Sequence, residues 1–202
     1  MKLCMIGTGY VGLVSGTCFA DIGNQVYCVD KDRSKIDKLN SGVSPIYEPG
    51  LDELIKKNYN ANRLIFTTDI KKAINSSDLI FICVGTPTKK GSLKVDLSFV
   101  YKCSKEILKH TKKKKIIITK STVPVGTGDE IEKIIKKKKK LFSVISNPEF
   151  LREGEAIRDF RYPDRIVIGS DNKNEFKTMR KLYSPLINKG AKFFTTSRKG
   201  AE

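Results

Sequence analysis

Little in this chain invites histidine or metal chemistry. Its one histidine, His110, stands at the polar end of a helical pattern, which argues against a histidine base and against a metal site. Five cysteines, Cys4, Cys18, Cys28, Cys83 and Cys103, are odd in number and scattered, without metal-ligand spacing, and three of them fall inside apolar strand patterns. They read as small buried core residues of a cytoplasmic protein, with no disulfide framework and no evident nucleophile. No window supplies the roughly 20 consecutive apolar residues of a membrane span. Residues 3–19 superficially copy a secretory signal behind Lys2. Gly7, Gly9, Gly12 and Gly16 interrupt that run, however, and a second strand pattern follows it directly.

Acidic residues are also scarce, 22 against 39 lysines and arginines, so the formal net charge is +17. A cationic field attracts polyanions, which keeps a nucleic-acid-binding or nucleotide-sensing module open as a reading. Much of the excess lies in Lys112–Lys115 and Lys136–Lys140, each closing a helical pattern and preceding an apolar strand pattern. In a parallel sheet that junction lies at the edge opposite the ligand crevice. The preferred reading is therefore a solvated, lysine-biased surface complementing helix dipoles, with no nucleic-acid partner and no membrane partner.

At 202 residues the chain is sized for one generous domain, or one domain with an unfinished second. Apolar strand patterns recur at 2–6, 25–30, 64–67, 79–84, 115–119, 142–146 and 165–169. Helical patterns at 11–22, 34–40, 51–57, 70–74, 97–109, 129–138 and 174–182 separate them. This alternation predicts an α/β fold of the doubly wound Rossmann type, a mainly parallel sheet with helices on both faces. Most strands are continuous apolar runs, as burial on both faces demands. A last pattern over 190–195 adds a strand near the sheet edge.

The first strand runs into Gly7-Thr8-Gly9-Tyr10-Val11-Gly12 and then a helix, and the second strand ends in Asp30. A bare triplet of glycines is a weak signal; the strand before, the helix after and the acid beyond make it a dinucleotide fingerprint. Gly7 permits the tight turn, Gly9 lets backbone amides approach a pyrophosphate, and Gly12 lets helix and strand pack closely. Asp30 is placed to accept from the adenosine ribose hydroxyls and would repel a 2′-phosphate, which favours NAD. Lys31, Arg33 and Lys35 nearby keep NADP open. Further loops at the carboxyl edge, Val84-Gly85-Thr86-Pro87-Thr88, residues 119–124 and residues 146–154, carry hydroxyls, prolines and acids that a plain crossover would not need.

At those loops the chain resembles the UDP-glucose/GDP-mannose dehydrogenase family, the nucleotide-sugar dehydrogenases. The matching stretches are Gly7–Leu13, Ser44-Pro45-Ile46-Tyr47-Glu48-Pro49-Gly50-Leu51, Val84–Thr88, Lys120-Ser121-Thr122-Val123-Pro124-Val125-Gly126-Thr127 and Asn147-Pro148-Glu149-Phe150-Leu151-Arg152-Glu153-Gly154, in order over almost the entire chain. The resemblance implies oxidation of a sugar C6 alcohol to a carboxylate with two NAD reduced per turnover, UDP-glucose giving UDP-glucuronate, or a GDP-mannose or UDP-N-acetylmannosamine counterpart. It implies cofactor contacts at Gly7, Thr8, Gly9, Tyr10, Val11, Gly12, Asp30, Lys35, Val84, Gly85, Thr86, Pro87, Thr88, Ser121, Thr122, Val123 and Glu153. Glu149 would be the acid/base and Thr122 would help position a catalytic water. Glu149, Phe150, Leu151, Arg152 and Glu153 would hold the nucleotide-sugar, largely through main chain. Read without the resemblance, Glu149 could equally be a structural carboxylate at a helix start, and Thr122 a simple turn residue.

The family pattern also carries a catalytic lysine and asparagine on a central helix opened by the Ala201-Glu202 pair, and a later nucleophilic cysteine; none is present here. The expectation is a cofactor-binding domain over 1–196, with 197–202 opening the central helix of a longer protein. Such a piece would bind NAD without completing the reaction, and would be monomeric where the whole protein is a homodimer.

Overall fold

The computed structural model describes residues 1–89 and 91–202, with Lys139 described by its backbone alone. Five apolar runs form a parallel sheet core: β1 Lys2–Ile6, β2 Gln25–Val29, β3 Leu64–Thr67, β4 Leu79–Ile82 and β5 Lys115–Thr119. Beyond them lie β6 Phe142–Ser146, β7 Arg165–Gly169 and β8 Lys192–Thr196. The sheet order is β3-β2-β1-β4-β5-β6-β7-β8. The pleat sends alternate side chains to opposite faces. Leu3 and Met5 accordingly join one buried cluster, and Cys4 and Ile6 the other.

Helices cover both faces: α1 Tyr10–Asp21, α2 Arg33–Asn40, α3 Leu51–Asn60, α4 Ile70–Ser76, α5 Ser98–His110, α6 Thr127–Ile135, α7 Ala156–Arg161, α8 Lys173–Leu182, α9 Ser184–Ile187 and α10 Arg198–Ala201. No helix among the described residues is long and apolar enough to cross a membrane. Four cysteines are buried and Cys103 is half-buried, all of them free thiols.

Three expectations need correction. The fourth strand stops at Ile82, two residues early: the Cys83 amide still donates to the Ile6 carbonyl (2.9 Å), and Val84 to Thr88 then leave the ladder as the loop of the ligand edge. The sixth helix ends at Ile135 and tightens into a 3-10 turn over Lys136–Leu141. The lysine runs, moreover, are not uniformly solvated. Lys115 is buried, its ammonium donating to the Ser77 carbonyl at the end of α4. The Lys138 ammonium reaches the Leu108 and Thr111 carbonyls at the end of α5 (3.0 and 3.2 Å). These cations satisfy carbonyls that a helix terminus leaves unpaired, on neighbouring helices rather than on their own. Of the Lys136–Lys140 run, the Lys139 side chain lies outside the described residues.

Six strands run parallel, but β7 meets β6 antiparallel through the single pair Ser146 and Gly169, and then pairs with β8 in parallel. Asn147-Pro148 stops the ladder there, since proline has no amide to donate. β7 continues alongside the loop instead: Asn147 Nδ2 donates to the Val167 carbonyl (3.1 Å), and the Arg165 guanidinium lies 4.4 Å over the Phe150 ring. This reversal keeps residues 147–164, α7 included, at the carboxyl edge of the sheet.

Candidate functional site

The site begins where the strand order reverses, between β1 and β4, the crevice that such sheets open to ligands. Gly7 has φ +103°, and a Cβ there would stand 2.8 Å from the Cys83 carbonyl oxygen. A Cβ on Gly12 would lie 1.9 Å from the Gly7 carbonyl oxygen and 3.0 Å from Cys83 Cβ, so helix and turn pack without room for a side chain. Gly9 differs: a Cβ there meets no atom within 4 Å. Gly9 caps α1, and no side chain bonds the amides of that terminus. By contrast Asp32, Asp69 and Asn172 cap α2, α4 and α8 with their side chains. The start of α1 thus combines free amide donors, the positive end of a helix dipole and an open approach.

Asp30 leaves β2 beside this turn. Its Oδ2 accepts from the Thr8 amide (2.9 Å) and hydroxyl (2.8 Å), and its Oδ1 from the Asp32 amide (3.1 Å). Burial pushes the Asp30 carboxyl up, but these hydrogen bonds, with Lys35 nearby, outweigh it and hold the group below the usual carboxylate range. A cleft of about 840 Å³ opens here, lined by Gly7, Gly9, Asp30, Lys31, Lys35 and Val84 to Pro87, with Cys83, Phe99 and Cys103 on its walls. Ser121 donates to the Val84 carbonyl (2.7 Å) and Thr86 to the Thr122 carbonyl (2.9 Å), tying two of the ligand-edge loops together. Val123 is buried beneath them, and Thr88 closes a bridge with Val95. Uncapped amides, an anionic ribose acceptor and a cleft walled by apolar and thiol groups fit a dinucleotide.

A second cleft, of about 720 Å³, is lined by Lys120, Asn147, Glu149, Phe150, Leu151 and Arg152 on one side and by Tyr162, Arg165 and Tyr183 on another. Glu149 Oε2 accepts from the Leu151 amide (2.5 Å), folding the loop on itself. The Asn147 carbonyl oxygen of the side chain accepts from the buried Tyr183 hydroxyl (2.6 Å). Arg152 spends its guanidinium on Asp159 (2.7 Å) and Glu155 (2.9 Å) while its amide donates to Asp159 Oδ2 (2.9 Å). Thr122 is exposed and does not line this cleft with Glu149. Glu153 lies instead with Tyr10, Ile46 and Tyr47 in a third, open hollow.

Two links escaped the sequence reading. The first joins the clefts. Glu48, 6% exposed, accepts from the Tyr10 hydroxyl and the Gly154 amide (2.9 Å) through Oε2, and from the Ile157 amide (3.2 Å) through Oε1. Burial and then Glu48 push the Tyr10 phenol up to about 12, so it stays a neutral donor. Glu48 therefore ties the start of the α1 helix, the Ser44–Leu51 loop and the Glu149 loop together. Glu48→Ala would leave the buried Ile157 amide without its acceptor and remove one of two partners from the Tyr10 hydroxyl and the Gly154 amide, at a cost of about 1–3 kcal/mol. It is expected to speed amide exchange at Gly154 and Ile157, and unchanged exchange there would contradict the strap. The second link is at the chain's end. Arg198, 4% exposed, pairs with Asp129, Glu132 and Asp171, while Glu202 accepts from the Gly126 and Gly128 amides (2.6 and 2.7 Å) at the start of α6. Each link joins residues 27 to 109 positions apart, and only the ordered Ser44–Leu51 motif hinted at either.

Comparison with known proteins agrees with this geometry. Residues 1–187 match the UDP-glucose/GDP-mannose dehydrogenase family, NAD binding domain. The chain is 52% identical, over 98% of its length and 46% of the relative's, to the UDP-glucose 6-dehydrogenase of Rhizobium meliloti (strain 1021). It is also 52% identical, over 91% of its length and 40% of the relative's, to the UDP-glucose 6-dehydrogenase TuaD of Bacillus subtilis (strain 168). Among solved structures, a ternary complex of GDP-mannose dehydrogenase from Pseudomonas aeruginosa superposes with a TM-score of 0.94 at 36% identity, covering all of this chain and 47% of that one. The chain thus spans less than half the length of these relatives. With the fingerprint turn, Asp30 and the Glu149 loop on one sheet edge, the chain belongs to the UDP-glucose/GDP-mannose dehydrogenase family and comprises its NAD-binding domain.

Proposed function

We propose that this chain is the cofactor-binding part of an NAD-dependent UDP-glucose 6-dehydrogenase, carrying UDP-glucose to UDP-glucuronate in the cytoplasm. The observation that carries this reading is the Glu48 strap, which fixes the Glu149 loop against the turn that grips the cofactor. NAD, when bound, supplies the hydride acceptor for each of the two oxidations. Gly7 to Gly12 would hold its pyrophosphate on the α1 amides, and Asp30 would accept from its ribose hydroxyls. The Val84–Thr88 and Ser121–Val123 loops, Lys35 and Glu153 would supply its remaining contacts.

Glu149 is a carboxylate at the edge of a cleft and takes the alcohol proton as hydride leaves carbon; later it returns a proton or receives one from attacking water. Thr122, exposed at the same sheet edge, is assigned to orient that water. Phe150, Leu151 and Arg152 present backbone to the nucleotide-sugar, with the Arg152 guanidinium held aside by Asp159. The thiolate and the lysine–asparagine pair of the family pattern are not among these residues, so the chain alone binds cofactor and does not turn over. The 52% identity to two relatives named UDP-glucose 6-dehydrogenase supports UDP-glucose over the other sugars.

Residues 1–196 form the cofactor unit in this reading, and Ser197–Glu202, capped by the Ser197 hydroxyl, opens a further helix that builds a homodimer in the longer protein. Titration of the chain with NADH and NADPH tests the cofactor assignment. Asp30→Ala is expected to weaken NADH binding about 10–100-fold, the worth of charge-assisted hydrogen bonds. Glu149→Gln is expected to leave it within about twofold, as a group outside the cofactor cleft should. NADPH binding as tight as NADH, or equal losses in both variants, would overturn the assignment.

A further inference from the structure

The second cleft holds a buried cation with no task in the scheme above. Lys120 follows β5, and its amide donates to the Ile82 carbonyl (3.0 Å), which pins its backbone to the sheet. Its side chain is 4% exposed and lines the cleft beside Asn147 and Glu149. Lys115, five residues earlier and equally buried, donates to the carbonyls of Ser77 and Asn75. The Lys120 ammonium makes no hydrogen bond or ion pair to any described residue; Cys83 and Glu149 act on it only through space. Burial accordingly holds its pKa below the ordinary lysine value, against the pull of those two groups. Buried charges are as a rule paired or hydrogen-bonded, and an ammonium without a partner among the described residues, at the wall of a cleft, is placed to donate to an oxygen bound there.

The other cations at the cleft do not fill this role. Arg152, Arg158 and Arg165 are exposed, and the first and last are engaged with Asp159 and with the Phe150 ring. Oxidation of an alcohol to a carboxylate creates a full negative charge beside Glu149, and two carboxylates in one cleft repel. An ammonium on the same floor offsets that repulsion. We propose that Lys120 forms a carboxylate subsite in this cleft, donating to the anionic oxygen at the carbon that is oxidised; the proposal rests on the nucleotide-sugar reading above.

The test measures binding of NAD, UDP-glucose and UDP-glucuronate to the chain, and its thermal midpoint, for the wild type, Lys120→Met and Lys120→Arg. In Lys120→Met, UDP-glucuronate is expected to bind at least about tenfold more weakly, as loss of a charged hydrogen bond implies, with UDP-glucose and NAD within about twofold. The midpoint should rise, since removal of an unpaired buried charge relieves the interior. Lys120→Arg should retain most of the carboxylate affinity. Equal weakening of both sugars, no weakening of either, or loss of NAD binding together with a lower midpoint would overturn the subsite and leave Lys120 a structural residue. Failure of both sugars to bind the wild type would instead overturn the reading of this cleft as a sugar site, before any variant is compared, and the subsite with it.

Discussion

Gly12→Ala is expected to lower the thermal midpoint of the chain by about 6–12 °C, while Gly9→Ala, three residues away, leaves it within about 2 °C and weakens cofactor binding about 100-fold. At Gly12 the added methyl would stand 1.9 Å from the Gly7 carbonyl oxygen, a backbone atom that cannot swing aside. Either α1 or the turn must shift, and overpacking of this kind costs about 3 kcal/mol or more. The methyl on Gly9 meets nothing within 4 Å. Its effect falls on the ligand, because it stands where a pyrophosphate must approach the amides of α1, whose charge-assisted hydrogen bonds would be lost. An increase in Kd for NAD of about 100-fold follows from losing one or two such bonds. Calorimetry and NADH fluorescence together decide the matter: a destabilised Gly9→Ala with normal binding, or a stable Gly12→Ala, would reverse the roles given to the two glycines.

Phe19→Ala is the second large effect, and it tests how the α1 helix supports the second cleft. Phe19 is fully buried on α1, with ring centroids 5.3 Å from Phe81, 4.9 Å from Phe160 and 5.4 Å from Tyr183. Three elements therefore meet at one ring: β4, α7 and the turn between α8 and α9. Truncating a buried Phe removes its transfer energy and leaves a cavity, together about 3–5 kcal/mol, which for a chain of this size lowers the midpoint by roughly 6–20 °C. The local consequence is more specific. Tyr183 carries the hydroxyl that fixes Asn147, two residues before Glu149, so the Glu149 loop should loosen as well. Faster amide exchange at Leu151 in Phe19→Ala than in Phe19→Leu would show that link, and a midpoint within about 2 °C of the wild type would refute it.

Much of the frame was legible in the sequence because burial on both faces makes a strand a plain apolar run, and β1 to β6 are such runs. The edge strand β8 was legible too, although its exposed and half-buried residues alternate weakly. α7 and α9 were not read, since six and four residues are too few to show a helical period. The reversal at β7 was not readable either: an apolar run carries no direction, and Pro148 marks an end of pairing without saying which way the chain returns.

The sequence by itself determined the cofactor turn. Gly7, Gly9, Gly12 and Asp30 lie within 24 residues, and their roles follow from local backbone geometry, from close packing and from one charge. Only the tertiary structure decided the second cleft and its ties to the turn. Glu48 and Gly154 lie 106 positions apart, Tyr183 and Asn147 lie 36 apart, and Lys120 in a motif says nothing of whether its ammonium finds a partner. Pairings of that range depend on how helices stack over the sheet, and a satisfied buried cation differs from an unsatisfied one only in its neighbours. Lys115 and Lys120 are the case in point: the same side chain at both ends of one strand, equally buried, capping a helix at one end and facing a cleft at the other.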